Sequence, residues 1–191
     1  REALVKRYDH SKYFLATKLP FWKMECEEDV ARLFNEQLEK TGADYFDYYL
    51  LHCLNKDNYA TCNRLGAFDF VMQKKRDGIV KRIGFSYHDN AELLDEILTA
   101  HPEMEFVQLQ INYLDWESDA IQSRLCYETC VKHGKKVIVM EPVKGGSLAN
   151  IPDGAKEILD RIDPALSPAG HAVRFAQSLE NVEIVLSGMN T

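Results

Sequence analysis

Two side chains in this sequence could do chemistry where they stand. Lys18 lies near the end of the apolar run Tyr13-Phe14-Leu15-Ala16-Thr17-Lys18-Leu19-Pro20, and His52 closes the run Asp44-Tyr45-Phe46-Asp47-Tyr48-Tyr49-Leu50-Leu51-His52. An imidazole changes charge near neutral pH and can relay a proton. An amine in a poorly hydrated place can attack a carbonyl to form a Schiff base. Each also has a plain structural reading, a solvated strand-end lysine and a hydrogen-bonded histidine. The same polar punctuation recurs at Ser86, Asn112, Glu141 and Ser187, each ending an otherwise apolar stretch. Ser86 and Ser187 read equally well as turn residues, because hydroxyls satisfy turn backbone. Gly145-Gly146 is either a plain turn or a backbone open to close approach by a phosphate.

The elements that must position these residues alternate along the chain. Apolar runs on both side-chain parities predict strands buried on both faces, at about 13–20, 46–52, 80–86, 106–112, 136–141 and 182–187. Amphipathic spacing predicts helices over about 27–40, 59–76, 90–100, 120–132 and 155–162, and another starting at Ser167-Pro168 with hydroxyl cap and first-turn proline. Residues 1–8 read as the last turns of a helix. Strict alternation implies parallel strands with right-handed crossovers. A doubly wound sheet and an eight-stranded barrel both satisfy that pattern. Polar ends on all six strands suit a ring converging on one pocket, so the expected fold is a parallel (β/α)8 TIM barrel with six of its eight strands present. On this reading residues 1–191 are one partial barrel domain, an excerpt of a longer protein.

Composition sets further bounds. The chain has 191 residues, 46% hydrophobic and 28% charged, with a net charge of −7. That charge would be repelled by nucleic acid and by anionic membranes, so neither is expected as a partner. No apolar run approaches the roughly 20 residues that span a bilayer. Five cysteines without a Cys-x-x-Cys pair fit reduced thiols and a cytoplasmic location better than a disulfide framework or a zinc site. Sequence signatures of P-loop hydrolases, serine-hydrolase elbows and zincins are all missing.

Taken together, Ala16-Thr17-Lys18, the Asp44 to His52 segment, Arg82-Ile83-Gly84-Phe85-Ser86 and Val139-Met140-Glu141-Pro142-Val143-Lys144-Gly145-Gly146 resemble the aldo-keto reductase family in order and separation. The last segment looks like the branch that often carries a carboxyl-terminal iron–sulfur extension, whose cluster would lie beyond this chain. The resemblance implies reduction of an aldehyde or ketone by a nicotinamide cofactor, NADP in its reduced form. It assigns catalysis to Lys18 and His52, together with an aspartate and a tyrosine upstream of residue 1. Lys18 would lower the pKa of that tyrosine acid, and His52 would orient the carbonyl. Cofactor contacts implied are Ser86 and Gln108 at the nicotinamide carboxamide, Glu141 at the ring, Pro142, Val143 and Gly145 along the pyrophosphate, and Ser187, Gly188, Met189 and Asn190 toward the adenosine phosphate. Tyr87 stands where many members have asparagine, and Glu141 where an aromatic is common. No metal ligands are expected. Two other readings remain: a Schiff-base aldolase using Lys18, and a cofactor-binding sensor or scaffold subunit with little turnover.

Overall fold

The structure, a computed structural model, describes residues 1–188. Six strands, β1 (Ala16–Leu19), β2 (Phe46–Leu54), β3 (Val80–Tyr87), β4 (Phe106–Gln110), β5 (Lys136–Met140) and β6 (Val182–Val185), alternate with helices. The α-helices are α1 (Glu27–Thr41), α2 (Lys56–Arg64), α3 (Ala67–Arg76), α4 (Ala91–Ala100), α5 (Ser123–Lys132), α6 (Asp153–Ile162) and α7 (Pro168–Gln177). The residues group into two compact units, 1–87 with 97–106, and 88–96 with 107 onward. Two expectations need correction. Residues 1–8 form hydrogen-bonded turns, not helix. The single helix expected over 59–76 is two, because Gly66 takes a left-handed conformation (φ 62°) that breaks the helix after Leu65 and starts α3.

In the first unit β1, β2 and β3 are parallel neighbours. β2 is buried on both parities, as its sequence demands. Its outer face meets α1, which folds because acids crowd its first turn and Asp29 accepts the N–H groups of Glu25 and Cys26 at 2.8 and 3.2 Å. Phe34 of α1 is fully buried, edge-on to Phe46 and Tyr49 of β2 and to Phe70 of α3. Such aromatic pairs contribute about 0.5–1.5 kcal/mol each beyond the apolar area they bury. Gln37, one turn further along α1, accepts the Tyr49 hydroxyl at 2.8 Å and donates to the Lys18 carbonyl at 2.8 Å, tying β1 and β2 to the same helix.

The other face of these strands carries Tyr48 and Arg82, a register pair, toward their amino ends. The Arg82 guanidinium lies over the Tyr48 and Phe106 rings, 5.3 and 5.9 Å from their centroids. Glu105 accepts from Lys75 at 2.6 Å and from the Ile83 N–H at 2.9 Å, so the charge here is paired. Gly84 permits this packing: a Cβ there would stand 2.3 Å from the Phe106 carbonyl oxygen and 2.8 Å from its ring.

In the second unit β4 adjoins β5, and β5 pairs in parallel with β6. The Ser123 hydroxyl at the start of α5 donates to the Gln110 carbonyl at 2.8 Å. Asp95 of α4 accepts from Lys132 and His133 at the end of α5, at 2.7 and 2.6 Å. Ser167 caps α7, accepting the Gly170 N–H at 3.1 Å.

Candidate active site

Within the first unit, the register pairs Lys18 with Leu50 and Leu50 with Gly84. Side chains two apart on a strand share a face. Lys18, His52 and Ser86 therefore project from one face at the carboxyl ends of three adjacent strands. Lys18 is half-buried. Burial pulls its amine below the ordinary lysine value, with the neighbouring Cys53 thiol acting in the opposite sense. The Trp22 ring approaches the His52 imidazole edge-on, 4.9 Å between centroids.

His52 does not end its strand. β2 runs on to Leu54, and between the pairs Leu51–Phe85 and Leu54–Tyr87 the two residues His52 and Cys53 oppose the single residue Ser86. The extra residue makes a β-bulge, a device that re-aims side chains. Cys53 takes a left-handed conformation (φ 56°), unusual for a residue with a side chain. Its N–H donates to the Ser86 hydroxyl at 2.7 Å, and its carbonyl accepts from the Asn58 amide at 2.6 Å.

The second unit holds the remaining candidates. Gln108 is buried and donates to the Met140 sulfur at 3.1 Å. A cavity of 760 Å³ is lined by Met140, Glu141, Pro142, Val143, Gly145 and Gly146 on one side and Leu186, Ser187 and Gly188 on the other. Glu141 (φ 55°), Lys144 (φ 48°), Gly145 (φ 61°) and Gly146 (φ 93°) are all left-handed, which winds the chain tightly at the mouth of this cavity. The loop is closed by its own backbone, the Lys144 N–H donating to the Glu141 carbonyl at 2.9 Å and the Gly146 N–H to the Val143 carbonyl at 3.0 Å, and concave turns of this kind can face an anionic ligand such as a pyrophosphate. Met189 and Asn190 lie outside the described residues.

Sequence reasoning missed the group that holds this loop. Asp115, 7% exposed at its side chain, accepts from Lys144 at 2.5 Å and from Gln110 and Asn112 at 2.9 Å each. Asn112 in turn accepts the Asp115 N–H at 2.9 Å and donates to the Glu141 carbonyl at 3.3 Å. Burial alone would raise the Asp115 pKa, but the Lys144, Asn112 and Gln110 donors outweigh it and hold the carboxyl below its ordinary value. The spacing Gln110-x-Asn112-x-x-Asp115 was the available signal. The other buried thiols are poor nucleophiles: burial pushes Cys126 up to about 12 and raises Cys62 and Cys130 as well.

Comparison with known proteins puts these features in context. A family model described as the aldo/keto reductase family matches residues 1–190. The aldo-keto reductase AKR11C1 from Bacillus halodurans, in a holo form, superposes with a TM-score of 0.76 at 20% identity, over 100% of this chain and 65% of that one. The thermostable aldo-keto reductase Tm1743, complexed with the inhibitor epalrestat, gives 0.73 at 19% identity, over 95% and 63%. A reductase from Brucella melitensis gives 0.68 at 22% identity, over 96% and 65%. The shared architecture is the parallel α/β barrel, and the chain spans less than two thirds of each of these structures. No curated protein sequence matches the chain.

Proposed function

The chain belongs to the aldo/keto reductase family, and from that premise we propose that it is the larger part of a carbonyl reductase using a nicotinamide cofactor, NADPH in preference to NADH. The observation that carries this reading is the placement of an amine and an imidazole, Lys18 and His52, on one face of two paired parallel strands. A bound reduced nicotinamide supplies a hydride, which leaves the protein the tasks of position and proton delivery. Lys18, partly dehydrated, is an electrostatic neighbour for a phenol. As an ammonium it favours the phenolate and so brings a tyrosine acid, unperturbed at about 10, toward working pH. His52 offers the carbonyl oxygen a hydrogen bond and fixes its orientation.

The anionic part of the cofactor is assigned to the second unit's cavity, lined by Pro142, Val143, Gly145, Ser187 and Gly188, with the chain wound left-handed at Gly145, and Gln108 of the same unit offers a buried amide for the nicotinamide carboxamide. Glu141 stands at the cavity wall as a carboxylate, not as a stacking ring. Substrate is a small aldehyde or ketone. No helix among the described residues is long and apolar enough to cross a membrane, and all five cysteines are free. The free thiols support a reducing compartment, the cytoplasm.

The test is NADPH oxidation by the full-length protein across a carbonyl panel, with Lys18→Met alongside. We expect kcat to fall by about a hundredfold or more in the variant, within the range lost when a proton-transfer site is disabled. Wild-type rates in Lys18→Met would refute the role of Lys18. The lowered amine pKa also favours a Schiff base at Lys18, so borohydride trapping is the control. An adduct on Lys18 would turn the assignment to an aldolase.

A further inference from the structure

Ser86 has a second task visible in its contacts. It is fully buried, and its oxygen accepts the Cys53 N–H at 2.7 Å where a parallel ladder would offer a carbonyl. The same Cys53 residue has its carbonyl taken by the Asn58 amide at 2.6 Å, and Asn58 is itself fixed because its N–H donates to Asn55 at 2.9 Å at the start of α2. Both polar groups of one left-handed residue are thus held by side chains, from β3 on one side and α2 on the other. A non-glycine residue in this conformation costs about 1 kcal/mol or more and persists only when its surroundings over-determine it. Here the over-determination is explicit, and the residue it restrains follows His52 directly.

We infer that Ser86 and Asn58 are positioning residues: they clamp the left-handed Cys53 and thereby set the direction in which the His52 imidazole leaves the sheet. This rests on the reading that His52 works at the carbonyl. It is separate from any contact Ser86 makes with a cofactor, since a hydroxyl has one donor and two acceptor lone pairs and can accept from Cys53 while donating elsewhere. Removing the hydroxyl orphans the Cys53 N–H and lets the bulge relax toward ordinary extended backbone. His52 then swings with its carboxyl neighbour, while Lys18, whose carbonyl is tied to Gln37, stays in place.

The clamp predicts a rescue that direct cofactor binding does not. Glycine adopts φ near +60° without steric cost, so Cys53→Gly should keep the turn without the hydroxyl's help. The core comparison is of four full-length proteins: wild type, Ser86→Ala, Cys53→Gly and the double variant. Two readouts are taken, kcat and KM for carbonyl reduction, and the titration midpoint of the His52 ring by NMR, assigned by its loss in His52→Gln. Ser86→Ala is expected to lower kcat by about tenfold and to move the His52 midpoint by about half a pH unit. The double variant should return to within about threefold of Cys53→Gly in kcat and restore the midpoint. Asn58→Ala, acting on the other end of the same residue, should move the midpoint in the same sense. An unmoved His52 midpoint in Ser86→Ala, or a double variant as impaired as Ser86→Ala, overturns the inference. If the wild type reduces no carbonyl, the enzymatic reading fails by itself, and the four titrations still decide the clamp.

Discussion

Replacing Asp115 by asparagine tests whether the carboxylate under the cavity loop is a structural anchor. The side chain is almost fully enclosed and gathers three donors, the Lys144 ammonium at 2.5 Å and the Gln110 and Asn112 amides at 2.9 Å. Hydrogen bonds to a charged group contribute about 1.5–3 kcal/mol each. Lys144 is one-third exposed, so its share falls toward the surface ion-pair range of up to about 1 kcal/mol. Asparagine keeps one oxygen as an acceptor but turns an NH2 toward a donor. The net loss for Asp115→Asn is about 2–3 kcal/mol at pH 7, read from the shift in urea midpoint. The pH dependence gives a second check. Because the folded pKa lies below the unfolded one, the unfolded state binds the proton more readily, and the stabilisation is present above the unfolded pKa of about 4 and lost as pH falls through the lowered folded value. Wild type should begin to lose this increment as pH falls below about 5 and go on losing it until the lowered folded value is passed, and the variant should not. A loss under about 0.5 kcal/mol at pH 7, or an unchanged acid limb in the variant, would refute the anchoring argument.

Two further substitutions follow from packing and capping. Gly84→Ala drives a Cβ to 2.3 Å from the Phe106 carbonyl oxygen, a backbone atom that cannot rotate away, so it should cost about 3 kcal/mol or more in thermal or urea unfolding, beyond ordinary overpacking. Ser167→Ala removes the acceptor of the Gly170 N–H at the start of α7 and should cost about 1 kcal/mol, with glycine at that position costing only a few tenths.

Much of the architecture was legible because burial and periodicity act locally. β2 could be recognised from apolar residues on both parities, and α1 from its acidic first turn and its Val30, Leu33 and Phe34 stripe. The end of α7's approach was legible for the same reason: Ser167-Pro168 carries cap chemistry in adjacent residues. What could not be read depends on partners far along the chain. His52 looked like a strand end because apolar density stops there, yet the ladder continues to Leu54, and the bulge that allows this is fixed by Ser86, 33 residues away. The split between α2 and α3 hinged on Gly66, which within an apolar helical pattern reads as a tolerated defect. Asp115 was overlooked because Lys144, which marks it as an anchor, reaches it only once the loop after β5 is wound.

These misses share a physical origin. In each unit a left-handed, non-glycine residue near the carboxyl end of a strand bearing candidate site residues has its carbonyl captured by an asparagine side chain: Cys53, in the bulge of β2, by Asn58, and Glu141, just after β5, by Asn112. In β2 the captor comes from the following helix. After β5 it comes from the residues that follow β4, and the Lys144 N–H adds a second bond to Glu141 at 2.9 Å. An amide side chain suits this task because it donates to a carbonyl without bringing a charge into a half-buried rim. A polar residue at a strand's carboxyl end therefore has two ways of serving a site in this chain. It either projects from the sheet face toward it, the role proposed for Lys18 and His52, or holds the backbone that aims its neighbour. Only tertiary hydrogen bonding distinguishes the two, so residue type and position alone left Asn112 and Ser86 indistinguishable from direct ligands.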